Sequence, residues 1–174
     1  MVNPSRHRSR HRALLFSKPS GLTLIELLVV LVILSIMAVV AIPFAEVTVK
    51  RHKEMSLRVA LREIRTAIDH FHDDWKQGKI SKTSPQASEF GYPLSLNVLV
   101  EGVEHSSSFN VQHKYLRRIP ANPFAEAGIP VHEQWQYRSY QDSHDTNHWG
   151  GQDVYDVSVK TNRKALDGSD YKNW

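Results

Sequence analysis

The sequence predicts an α+β fold: one long N-terminal helix, membrane-spanning in its first half, packed through its second half on a small antiparallel sheet. Three observations lead there. Residues Gly21 to Phe44 form a nearly unbroken apolar run, GLTLIELLVVLVILSIMAVVAIPF. From Leu57 onward, apolar residues recur at helical spacing. Towards the C-terminus, two segments alternate in the way half-buried strands do.

The apolar run is long enough to cross a bilayer. At about 1.5 Å per residue, Leu22 to Pro43 makes roughly 33 Å of helix, against a hydrocarbon core of about 30 Å. A conventional secretory signal instead has an apolar stretch of roughly 7–15 residues followed by a small-residue cleavage site. The run carries a single acid, Glu26, five positions after Gly21. An ionisable side chain in a membrane span costs several kcal/mol unless something pairs with it, so Glu26 requires a partner. Cleavage after Gly21 would create one, a positive amine on Leu22 at nearly the same depth. The alternative, an ordinary single-pass signal anchor, needs neither the acid nor the glycine.

Charge and composition narrow the function classes. The formal charge of +4 suggests an anionic partner, but five of the 22 basic side chains (Arg6, Arg8, Arg10, Arg12 and Lys18) lie in residues 1–21, which hold no acid. Without them 17 basic side chains face 18 acidic ones, so a nucleic-acid reading fails. A basic flank holds the N-terminus in the cytoplasm and places the residues after the span outside. With 174 residues there is room for one modest domain beyond one span. Cysteine is absent, so an exported domain must hold together without disulfides.

The remaining elements follow in order. Pro43 lacks an amide hydrogen and would kink or loosen the helix at the membrane exit without ending it. Leu57, Leu61, Ile64, Ile68, Phe71 and Trp75 then step by four, three, four, three and four, one stripe of an amphipathic helix reaching about Lys76. Arg58, Arg62, Glu63, Arg65 and Asp69 take the other faces. The expected organisation is a leader over 1–21, a transmembrane helix over 22–45, its amphipathic continuation over 46–77 and a globular domain over 78–174. Within that domain, 78–89 reads as a polar loop. Tyr92 to Val100 reads as a short helix started by Pro93, with Leu94, Leu96, Leu99 and Val100 available to pack. Tyr115 to Phe124, with Pro120 and Pro123, is a stiff connector. Gln134 to Tyr140 and Asp153 to Val159 are the two strands, and the polar tail 160–174 can pin itself by burying Tyr171 and Trp174.

Gly21, Leu22, Glu26, the apolar helix and Pro43 together resemble the cleavage and anchor signature of type IV pilins and of the pilin-like pseudopilins of type II secretion. The resemblance implies that a prepilin peptidase cuts between Gly21 and Leu22 and methylates the Leu22 amine. It also implies that Glu26 pairs with that amine on a neighbouring subunit. Leu22 stands where the family more often has phenylalanine. The Tyr92-Pro93-Leu94-Ser95-Leu96 segment, the Leu116 to Pro123 stretch and the terminal Asn173-Trp174 are similar to the major pseudopilins, and the lack of cysteine leans the same way. Such a protein is a structural subunit and no enzyme. It sits in the bacterial inner membrane with its C-terminal domain in the periplasm. Its partners are copies of itself, minor pseudopilins and an inner-membrane assembly platform with a cytoplasmic ATPase. The rival readings are a type IV or DNA-uptake pilus subunit and a membrane-anchored periplasmic binding domain.

Metal and catalytic patterns are weaker. The resemblance implies a calcium loop in the tail, with Asp167 and Asp170 as the nearby acids, yet Arg163 and Lys164 stand where oxygen ligands are wanted. Asp69, His70, Asp73 and Asp74 are helical neighbours that could share an ion, but a solvated polar face explains them more simply. His144 and His148, among Asp142 and Asp145, read as a surface loop. No glycine-framed nucleophile and no phosphate-cradling loop occurs.

Overall fold

The computed structural model describes residues 21–106, 112–146, 148–161 and 163–174. Residues 1–20 of the expected basic leader lie outside the described residues, as do Asn147 and Asn162 of the two polar loops. A long helix, α1, runs Leu24–Lys76 with Pro43 inside it. The chain divides into two units at this proline, Met1–Pro43 and Phe44–Trp174.

In the first unit the helix start is chemically defined. The Thr23 hydroxyl accepts from the Glu26 amide at 3.2 Å, and the Thr23 carbonyl accepts from Leu27 N at 3.1 Å. Thr23 is thus the N-cap and Glu26 the third helical residue, the spacing of a capping box. Beyond it the described side chains are apolar on every face apart from Glu26 and Ser35, and they are bare: Leu24 is 83% exposed and Leu31 is 55% exposed. Such a helix finds no cover within its own unit and needs lipid or other helices around it. It is long and apolar enough to cross a membrane.

In the second unit the expected stripe is the core. Leu57, Leu61, Ile64, Ile68 and Phe71 are buried, with Ala60 and Ala67 filling the same face, while Trp75 is partly covered. Burying a side chain such as Leu, Ile or Phe contributes roughly 1.5–3 kcal/mol, so this face is a large share of the cohesion of the unit. The stripe packs with an antiparallel pair, which we call β3 (Trp135–Arg138) and β4 (Asp156–Val159), in the register Trp135↔Val159 and Tyr137↔Val157. Trp135, Val157 and Val159 are buried, and the Trp135 indole donates to the Pro120 carbonyl at 3.0 Å, tying the proline connector to the sheet. This is the expected α+β arrangement.

The structure departs from expectation in three places. The sheet is not single: a second antiparallel pair, β1 (Val103–Glu104) and β2 (Gln112–His113), precedes the first, and strands of two residues are too short to show alternation. The short helix, α2, spans Leu96–Glu101 and does not start at Pro93. Pro93 bridges to Ala87 and its carbonyl accepts from Val154 N at 2.8 Å, so its extended backbone is committed elsewhere. Consequently Leu94 is exposed at 40%, and Val98 packs inward beside Leu96 and Leu99.

One glycine is dictated by its surroundings. Gly91 has φ +82°, and a Cβ there would run into the Trp75 ring. Gly91→Ala therefore adds a left-handed penalty of about 1–2 kcal/mol to an overpacking cost of about 1–3 kcal/mol, together about 2–5 kcal/mol. Gly78→Ala, at φ +75° but with open space around it, should lose only the first part. Urea midpoints of the detergent-solubilised chain check the difference.

Candidate functional site

The candidate processing and assembly site lies at the start of α1. Gly21, Leu22 and Thr23 are non-helical, and all three are exposed. Among the described residues, chain neighbours aside, no heavy atom lies within 4 Å of where a Gly21 Cβ would sit. The Gly21–Leu22 peptide bond lies immediately before the helix that Thr23 caps, uncovered by any other described residue. Glu26 sits in the first turn, four residues beyond Leu22, where a negative charge also complements the helix dipole. Among the described residues no ion pair engages its carboxylate. Thr23 is the residue that pattern reading overlooked, although Thr-x-x-Glu was visible in the sequence.

In the tail, the sequence-predicted acids are placed apart in role. Asp167 Oδ1 accepts from Ser169 N at 2.9 Å and from Ser169 Oγ at 2.6 Å, while Oδ2 faces Arg58 at 3.7 Å. The Ser169 hydrogen bonds hold the Asp167 carboxyl below the usual carboxylate range. Asp170 lies in a short bridge with Lys164. A cation at this loop would have to displace the Arg58 contact, and Arg163 and Lys164 remain on its rim.

A different acid anchors the tail. Glu54 is 9% exposed, and its Oε1 accepts from Leu166 N at 2.8 Å and from the Tyr171 hydroxyl at 2.7 Å, residues 112 and 117 positions away. Burial and then the Glu54 bond push the Tyr171 hydroxyl pKa up, so it remains a donor. Glu54 extends the apolar stripe backwards by three residues, and an acid at a core position was the signal that could have revealed it. Trp174 closes the loop, edge-on to Tyr171 and under the Arg58 guanidinium at 4.2 Å, though it is only partly buried. Glu54→Gln keeps an acceptor but loses its charge, so it should cost about 1–2 kcal/mol, read as a lower urea midpoint.

The helix neighbours Asp69, His70, Asp73 and Asp74 do not act together. The first three are exposed, as a solvated face requires, whereas Asp74 is half-buried and turns to other elements. It pairs with Lys79 at 2.8 Å, accepts from the Tyr115 hydroxyl at 2.9 Å and lies 3.4 Å from His105 Nε2. Burial opposes the Asp74 charge, yet the hydrogen bonds from Lys79 and Tyr115 outweigh it and hold the carboxyl below its ordinary value. Burial, and then His113, pushes the His105 imidazole down. Pattern reading missed His105 and His113, because nothing in the sequence links them to Asp74. His144 and His148 are exposed in the loop after β3, where Asp142 is tied to Ser139 N and Gly150 N.

Residues 16–42 match the family model of the prokaryotic N-terminal methylation motif. That motif is the prepilin signal of type IV pilin-like proteins, and the match supports the pilin and pseudopilin class, with processing by a prepilin peptidase, membrane anchoring and filament assembly. No curated protein and no solved structure matches the chain.

Proposed function

We propose that the protein is a structural subunit of a type II secretion pseudopilus, made as a precursor and cut between Gly21 and Leu22. Once cut, it is held in the inner membrane by residues 22–45 and drawn from there into a filament that drives export of folded proteins. One observation carries this: a lone acid, Glu26, in the first turn of a bare apolar helix that follows an exposed glycine. An apolar helix can leave lipid for a bundle of like helices if its one charge meets an opposite one. The Leu22 amine of the adjoining subunit is that charge. The partners in this reading are the prepilin peptidase, further copies of the chain, minor pseudopilins, and a membrane platform with its cytoplasmic ATPase.

The absence of cysteine and the Asn173-Trp174 end favour secretion over a surface pilus. A deletion strain tests the choice: loss of protein export with intact twitching motility and DNA uptake supports it, and the reverse pattern assigns the chain to a pilus. A calcium loop at Asp167 and Asp170 is a separate proposal. It predicts a melting temperature that rises with added calcium and an effect that Asp167→Ala abolishes; a melting temperature indifferent to calcium counts against it.

A further inference from the structure

We propose that Asp74, His105 and His113 form a binding site for a zinc-type divalent cation, which clamps the β1–β2 hairpin to the C-terminal end of α1. The three side chains each offer one donor atom, and all three donors lie within 4.8 Å of one another. Two imidazole nitrogens with one carboxylate oxygen suit zinc and its first-row neighbours, whereas calcium and magnesium take oxygen cages.

The geometry is near closure. Zinc bonds of about 2.0–2.1 Å place tetrahedral donors roughly 3.3 Å apart. His105 Nε2 and Asp74 Oδ2 are already 3.4 Å apart. The remaining movement falls on His113, which is exposed, its ring now stacked on His105 at 4.5 Å and edge-on to Tyr115 at 4.9 Å. Asp74 is oriented from both sides: Lys79 holds Oδ1 at 2.8 Å, which leaves Oδ2 as the ligating oxygen, and the Tyr115 hydroxyl donates to Oδ2 at 2.9 Å. Outer contacts of that kind set the aim of a metal ligand. Tyr115 also touches His105 Nε2 at 3.1 Å, the contact that a cation would replace.

The backbone is held in place independently of any ion. Ser106 N donates to the Lys79 carbonyl at 2.7 Å, and Ser106 Oγ donates to the Gly78 carbonyl at 3.2 Å, so the segment carrying His105 is already fastened to the end of α1. Three protein ligands leave a fourth position for water or for a donor from another molecule. The site lies wholly within Phe44–Trp174 and does not depend on the assembly reading.

The test uses the full chain in detergent micelles, stripped with a chelator and titrated with zinc chloride by calorimetry and by melting temperature. We expect one tight equivalent and a melting temperature several degrees higher in zinc. His113→Asn and Asp74→Asn should each weaken that equivalent at least tenfold and remove the thermal shift. His70→Asn, on the solvated face, should change neither. Because His113 is exposed, the metal-free His113→Asn variant should melt with metal-free wild type, which separates loss of a ligand from loss of fold. Cobalt substitution adds a signature: visible absorption in wild type that His113→Asn alters. Zinc binding and thermal shift unchanged in His113→Asn, or no tight equivalent in wild type, overturns the proposal.

Discussion

Glu26→Gln leaves the protein inserted and cleaved but prevents it from entering filaments. The substitution separates the helix-start role of Glu26 from the charge pair proposed for it. As third residue of α1, Glu26 belongs to the cap that Thr23 makes, and glutamine serves that position equally well. What glutamine cannot do is neutralise the amine of an adjoining Leu22. Opposite charges about 4 Å apart are worth on the order of 4 kcal/mol at an effective dielectric near 20, close to a thousandfold in an association constant. An amine left without a partner in apolar surroundings costs more still. Membrane fractionation should show normal insertion, and sheared or cross-linked filament preparations should lack the variant. If Glu26→Gln assembles normally and only Glu26→Ala fails, the residue acts by capping its own helix and the charge pair is wrong.

Gly21→Ala abolishes processing without disturbing the protein's own structure. Among the described residues, chain neighbours aside, a methyl group at Gly21 meets nothing within 4 Å. The helix still starts at Leu24 under the Thr23 cap. Any failure of cleavage therefore arises where the peptidase grips the chain, not from altered folding. Immunoblots should show wild type at the faster mobility of the trimmed chain and the variant at the precursor position, matching wild type in cells that lack the peptidase. The uncut chain has an amide where the mature one has an amine, so the variant should also be absent from filaments. Normal trimming of Gly21→Ala would remove the glycine from the account.

Much of the fold could be read from periodicity because the physics that sets it is local and repeated. Leu57 to Phe71 face one way every three or four residues, and β4 alternates over its four residues, so both patterns survive in the sequence, whereas β3 buries Trp135 alone. The hairpin of β1 and β2 left no trace, since two residues define no period. Proline at position 93 suggested a helix start, yet its carbonyl and extended backbone are used in bridging, and Leu96 opens the helix under Ser95 instead. Of the candidate site, Gly21, Leu22 and Glu26 could be proposed from the sequence because they lie within six residues of one another. Glu54 with Tyr171, and Asp74 with His105 and His113, were not, because only the folded chain brings such distant residues together.

The most direct test of the central claim is the mass of the N-terminal peptide from protein extracted out of membranes. The account predicts a chain that begins at N-methylated Leu22, because only a freed amine there can answer the Glu26 carboxylate of a neighbour. A mature chain that still carries residues 1–21 would contradict it, for then no such amine exists and Glu26 must owe its place to the helix it helps to begin.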